Sequence, residues 1–292
     1  MSYPFLKGHG TENDFVLLPD HDGALHGDLS AARVRALCDR RAGIGGDGVL
    51  RVIRTSASPV VEEVAARTSP VVEDVALRPS RNHPVDEDLP EWFLDYRNAD
   101  GGIAEMCGNG IRVFARHLYD EGLVPPDEPV RIATRAGVKT VVREGDLFRA
   151  DLGEAAVLGE TKVSVGDRSF AATHVVVGNP HAVALVDDLA EAGSLAQEPA
   201  YDESLYPGGV NVEFVVRRGP GHVAMRVHER GSGETRSCGT GACAAALATA
   251  PEGPGRWQVD VLGGRLEVLR DDAGHVHLVG PAVIVARGET DL

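Results

Sequence analysis

One short pattern is written twice in this chain, and it constrains the fold more than any other feature. Met106-Cys107-Gly108-Asn109-Gly110 and Ser237-Cys238-Gly239-Thr240-Gly241 are both Cys-Gly-x-Gly. Each opens a stretch of helix-forming composition. Ile111 to Tyr119 is stopped by Gly122, and the alanine-rich run Ala242 to Ala250 is stopped by Pro251. Upstream, at equal spacing, stand Asn98-Ala99-Asp100-Gly101-Gly102 and Glu229-Arg230-Gly231-Ser232-Gly233. Before these lie the extended segments Trp92 to Arg97 and Val223 to His228. A strand, a glycine-rich loop, a cysteine and a helix therefore recur as a unit. The expectation is a duplicated architecture with two equivalent thiols.

A chain of 292 residues is long enough for two domains, each with its own core. With 29 Lys and Arg against 44 Asp and Glu, the net charge is −15. That charge disfavours nucleic acid and anionic membranes as partners. An anionic substrate must be met by local donors, because the global field repels it. No apolar run approaches the roughly 20 residues of a spanning helix, and no signal-like apolar segment opens the chain. A cytoplasmic protein is expected, with Cys38, Cys107, Cys238 and Cys243 kept reduced.

Along the chain, Asn13 to Leu18 reads as a strand after a turn-rich start. Ser30 to Arg41 reads as a helix with Val34, Leu37 and Cys38 on one face. Gly43 to Gly48 is a loop into the strand Val49 to Ile53. Within 55–91 a local duplication appears: Ser58 to Arg67 recurs as Ser69 to Arg78 with only Glu63/Asp74 and Ala66/Leu77 differing. This stretch reads as a surface insertion without chemistry. Short alternating strands follow from Val130 to Leu152, from Val163 to Val186, and from Val210 to His228. A helix-like region lies around Asp188 to Ala196. Further strands run from Trp257 to Ala286. Few helices among many short strands indicate an α+β fold, with mostly antiparallel sheet wrapped on a helix in each half. The second Cys helix is apolar all round and should be buried on all sides.

A helix N-terminus offers unpaired N–H groups and partial positive charge, and glycine lets a ligand approach them. A cysteine there is expected to have its thiolate favoured and its pKa lowered. Two such ends facing each other would hold one carboxylate between two thiols. That suits inversion of a stereocentre without a cofactor: one thiolate removes a proton from one face and one thiol delivers a proton to the other. Donors aimed at the carboxylate would stabilise the charge that develops on it, in a site shut off from water. Cys38 and Cys243 read as small buried hydrophobes. A zinc site lacks Cys-x-x-Cys spacing, and neither nucleotide-binding glycine pattern is present. Asn179, His181 and Asn211 stand out as polar residues in apolar surroundings.

These motifs resemble those of the diaminopimelate epimerase family, the cofactor-independent two-cysteine enzymes of lysine and peptidoglycan-precursor synthesis. The matching segments are His9 to Phe15, Gly43 to Gly48, Asn98 to Gly101, Met106 to Gly110, Gly178 to His181, Val210-Asn211, and Glu229 through Ala244. The resemblance implies two pseudo-symmetric halves, 1–151 with 279–292 and 152–278, the 55–91 insertion lying in the first. It implies that Cys107 and Cys238 are the acid/base thiols, with His181 and Glu229 assisting. It implies that Asn13, Asn98, Asn179, Asn211, Glu229 and Arg230 bind substrate, largely at its distal amino-acid end. Gly108, Asn109, Gly239 and Thr240 would turn backbone N–H groups to the reacting carboxylate. No metal and no cofactor is expected, and a homodimer is. Gly48 stands where the family often carries Gln, and Thr11-Glu12 where Leu-Gly is common. A proline or hydroxyproline racemase and a non-catalytic amino-acid binder are the alternative readings.

Overall fold

The computed structural model describes residues 2–58, 89–250 and 252–292. The duplicated segment of the 55–91 insertion lies, apart from Ser58, outside these described residues. Among them, eighteen strands join into one continuous sheet with three α-helices.

The strand order shows the duplication directly. The first half runs β18 (Val283–Thr290), β1 (Tyr3–Gly10), β2 (Asn13–Pro19), β3 (Gly48–Arg54), β4 (Trp92–Asn98), β5 (Val130–Thr134), β6 (Gly137–Glu144), β7 (Leu147–Glu154). The second runs β8 (Ala156–Val165), β9 (Arg168–Val176), β10 (Pro180–Leu185), β12 (Asn211–Gly219), β13 (His222–Glu229), β15 (Gly255–Val261), β16 (Gly264–Arg270), β17 (His275–Pro281). Across the first half successive pairs are antiparallel, antiparallel, parallel, antiparallel, parallel, antiparallel, antiparallel. The second half repeats that series. The two closing strands, β7 and β17, pair antiparallel and join the halves. The short strands β11 (Ala200–Tyr201) and β14 (Gly233–Thr235) are additions to the second half.

Each half of the sheet wraps one helix. Helix α2 (Gly108–Asp120) packs on strands of the first half, and α3 (Gly239–Thr249) on strands of the second. Every residue of α3 from Gly239 to Leu247 is buried, as its uniformly apolar sequence requires. Helix α2 ends as expected at Gly122, whose φ of 65° suits glycine. There Gly122 N–H donates to Tyr119 O and Leu123 N–H to Leu118 O, satisfying carbonyls the helix leaves open. The main core is continuous across both helices, from Phe15 and Leu50 through Ile111 and Phe114 to Ala244, Val259 and Leu278.

Several boundaries differ from the sequence reading. Helix α1 (Ala31–Cys38) is capped by Ser30 but stops before Arg41, because the Asp39 carboxylate captures the N–H groups of Arg41 and Ala42. The region around Asp188 is a single 3-10 turn, Leu189–Ala192, closed by a reciprocal Asp188–Glu191 cap. The turn-rich start contains β1, an interior strand paired on both sides. Its Gly8 is required by packing, since a Cβ there would lie 2.8 Å from both Val113 Cγ1 and Val283 O. Strand β8 begins well before Val163, and its residues Ala156 to Glu160 are exposed without alternation.

Candidate active site

The two Cys-Gly-x-Gly units meet. Cys107 caps α2 and Cys238 caps α3, each with extended backbone, φ −136° and −115°. Gly110 N–H donates to Cys107 Sγ at 3.4 Å, and Gly241 N–H donates to Cys238 Sγ at 3.3 Å. Each sulfur thus serves as the N-cap acceptor for the third residue of its helix. The N–H groups of Gly108 and Asn109, and of Gly239 and Thr240, precede the first i→i−4 bonds of their helices, Ile111 N–H to Cys107 O and Ala242 N–H to Cys238 O. The helices abut at their first residues. A Cβ built on Gly239 would stand 3.1 Å from Gly108 Cα, and one on Gly108 would stand 3.5 Å from Gly239 Cα. At Gly239 a side chain would crowd the facing backbone, whereas at Gly108 it would make ordinary contact with Gly239.

A set of amides stitches the halves together here. Asn109 is fully buried and donates from Nδ2 to Ser237 O at 3.0 Å and to Asn13 Oδ1 at 3.2 Å. The Cys107 thiol donates to the same Asn13 oxygen at 3.6 Å. Asn13 Nδ2 in turn donates to Asp47 Oδ2 at 2.8 Å. Asn13 therefore lies against the Cys107 thiol.

Around the second thiol, Cys238 Sγ lies 3.6 Å from Thr240 Oγ1 and bonds to the Glu229 carboxylate, which also accepts from Thr235 Oγ1. Asn179 Oδ1 lies 2.9 Å from His181 Nε2. His181 Nδ1 and Glu213 Oε1 are 2.7 Å apart, both side chains wholly buried. Asn211 Nδ2 donates to Pro180 O at 3.3 Å, and its Oδ1 accepts the Arg230 N–H at 3.0 Å. The exposed Arg230 guanidinium donates to Gly208 O at 2.7 Å. Asn98 closes β4 opposite Gly48, where its backbone makes a turn with Gly101 and Gly102.

The electrostatics correct the expectation of acidic thiols. Burial pushes Cys107 up to about 12, against the Gly110 and Asn109 N–H groups and Arg112, which favour the thiolate; the Glu229 charge adds to the rise. Burial, Glu229 and Glu213 push Cys238 well above its ordinary value. The helix ends do favour thiolates, but desolvation and two nearby carboxylates outweigh them. Burial likewise raises Glu229 to about 7, although Thr235 and Cys238 bond to its charged form.

Three contributors escape the sequence reading. Asp47 and Ser237 lie inside the matching motifs without standing out as site residues, and Glu213 lies in no motif, yet all three touch site residues. Only the charge of Glu213 within the apolar run Val210 to Val216 hinted at a role.

A family model described as diaminopimelate epimerase matches residues 5–158 and 173–285. A diaminopimelate epimerase of Streptomyces coelicolor is 52% identical over 300 residues, covering 98% of this chain and 95% of that protein. One of Thermobifida fusca is 46% identical over 292 residues, covering 99% and 98%. Among solved structures, a PhzF-family phenazine biosynthesis protein of Bacillus anthracis is similar with a TM-score of 0.66 at 13% identity, over 100% of each chain. A hydroxyproline epimerase of Agrobacterium vitis is similar at a TM-score of 0.63 and 15% identity, over 99% and 92%. These two share the fold. The matches in sequence, extending over nearly the whole chain, establish that it belongs to the diaminopimelate epimerase family.

Proposed function

We propose that this protein is a diaminopimelate epimerase that converts LL-2,6-diaminopimelate to the meso form in lysine and peptidoglycan-precursor synthesis, by cofactor-independent proton transfer between two thiols. The observation that carries the mechanism is the pair of Cys-capped helix ends meeting at Gly108 and Gly239. A substrate carboxylate in this cleft receives the N–H groups of Gly108, Asn109, Gly239 and Thr240, and both helix ends stabilise the charge that develops as the α-proton leaves. Cys107 removes the proton of the LL substrate and Cys238 delivers one to the opposite face.

An α-proton beside a carboxylate is very weakly acidic; a thiolate of high pKa is the stronger base toward it, at the cost of a small thiolate fraction at neutral pH. Asn13 orients Cys107, and Glu229 exchanges a hydrogen bond with Cys238. His181 supports the second half of the site. Asn98, Asn179, Asn211, Glu229 and Arg230 grip the distal amino-acid end. The halves, taken as 1–151 with 279–292 and 152–278, close over substrate and exclude water. The working protein is a cytoplasmic homodimer.

The test is isotope exchange in heavy water under reducing conditions. The purified protein should wash deuterium into the α-position of LL-diaminopimelate with no added cofactor, and Cys107→Ala and Cys238→Ala should each abolish turnover. Absence of exchange in the wild type refutes the activity; full turnover in either variant refutes the mechanism.

A further inference from the structure

The two halves present the same backbone to the two thiols but different floors beneath them. In the first half, β2 and β3 pair with Phe15 opposite Gly48 and Leu17 opposite Leu50. In the second, β10 and β12 pair with His181 opposite Asn211 and Val183 opposite Glu213. Both registers lie under the third residue of a Cys helix. A Cβ built on Gly110 would meet Leu50 Cδ2 at 3.1 Å and Phe15 Cζ at 3.5 Å. One built on Gly241 would meet Glu213 Oε1 at 2.6 Å and Cys238 Sγ at 3.2 Å. The buried His181–Glu213 pair therefore occupies the place of Phe15 and Leu50. From that shared point, the Glu213 oxygen and the Cys238 sulfur are at most about 6 Å apart, within range of a strong charge effect.

The opposite bias sits beside the other thiol. The fifth residue after Cys107 is Arg112; the fifth after Cys238 is Cys243. Arg112 is wholly buried, and its guanidinium donates to Gly108 O at 3.2 Å and Thr11 Oγ1 at 3.1 Å. Among the described residues no carboxylate pairs with it. A buried cation without a carboxylate stands near one thiol, and a buried carboxylate stands near the other.

We infer that Glu213 is a positioning residue for the proton of the resting enzyme: with Arg112 opposing it across the site, it holds that proton on Cys238 and leaves the thiolate on Cys107, the arrangement that receives the LL isomer. The inference rests on the two-thiol reading above. The charged groups acting on Cys238 are Glu229 and Glu213, the latter bound to His181, with Thr240 as the polar neighbour. Those acting on Cys107 are Glu229 and Arg112, with Asn13 as the polar neighbour. Arg112 favours the Cys107 thiolate, whereas both groups acting on Cys238 oppose its thiolate.

Alkylation by iodoacetamide, read at each cysteine by peptide mass spectrometry, tests this. Glu213→Gln keeps the shape and an acceptor for His181 but removes the charge. At a fixed pH near 8 it should speed alkylation of Cys238 about tenfold, one unit of pKa, and change Cys107 by less than about twofold. The double variant His181→Phe with Glu213→Leu copies the first half's floor and should shift Cys238 the same way. It also serves as the second probe if the single variant folds poorly. An unchanged Cys238 rate in a folded variant, or equal acceleration at both cysteines, overturns the proposal. Failure of the underlying mechanism is seen separately, as isotope exchange retained in Cys107→Ala or Cys238→Ala.

Discussion

Replacing Gly239 by alanine tests whether the helix ends must touch. The new methyl would stand 2.8 Å from Leu278 Cδ2, 3.1 Å from Gly108 Cα and 3.2 Å from Asn109 N. The leucine methyl can swing aside. The other two atoms are backbone of the facing helix, so the two helix ends must give by a few tenths of an ångström. Overpacking of this kind costs about 1–3 kcal/mol. Alanine's helix propensity returns at most about 1 kcal/mol, because Gly239 is the first helical residue. A net loss of about 1–2 kcal/mol remains, and each kcal/mol lowers Tm by about 2–4 °C in chains near this size. Turnover should suffer more, since misplacing reacting groups by about 1 Å costs on the order of a hundredfold. Gly219→Ala is the control: no atom lies within 4 Å of its Cβ position, so its stability should change by less than about 0.5 kcal/mol. Urea and thermal unfolding by circular dichroism, with deuterium exchange into substrate, read both effects. A Gly239→Ala protein with wild-type midpoint and wild-type exchange would refute the reasoning.

Leu278→Ala removes the fully buried side chain that fills the space beside both glycines, and should cost about 2–5 kcal/mol in urea unfolding. A loss below 1 kcal/mol, by the same estimate, would mean the site collapses around the gap. The buried Asp20–Arg51 pair, 2.6 Å apart, should make Asp20→Asn costly by about 3–5 kcal/mol at neutral pH. Burial works to raise the Asp20 carboxyl, but the Leu25 N–H and Arg51 outweigh it and hold the group below its ordinary value. Its stabilisation is therefore present above the unfolded pKa near 4 and lost as pH falls through the folded one, so the gap between variant and wild type should narrow in acid. A gap independent of pH would argue against the ion pair. Glu229 has the opposite sign: its carboxyl is raised to about 7 by burial, so its cost is absent in acid and complete above that pH. Urea midpoints should fall between pH 5 and 8 more steeply in the wild type than in Glu229→Gln; equal slopes would contradict the assignment.

The helices were the legible part of the fold, because their signals are local. Cysteine caps, glycine stops and apolar runs all lie within a few residues of what they govern. Strand β1 was not legible. Its residues Tyr3 to Gly10 carry proline, two glycines, lysine and histidine, and only neighbours distant in sequence make it an interior strand. Glu213 was missed for the same reason. Its meaning comes from lying across from Val183 and under Gly241. Asn13 was recognised, but its contact with the Cys107 thiol depends on how the turn between β1 and β2 meets the start of α2.

The sequence by itself determined that the chain is a duplication, that each half centres on one buried helix, and that each helix is entered through a cysteine. Those properties follow from local composition and repeat. Tertiary structure alone decided how the thiols ionise and how the halves differ. A helix end favours a thiolate wherever it stands, but burial acts on the whole environment, and here it wins at both cysteines. Equivalent strand registers then set leucine beneath one Cys helix and a carboxylate beneath the other, so two copies of one motif lie in different fields.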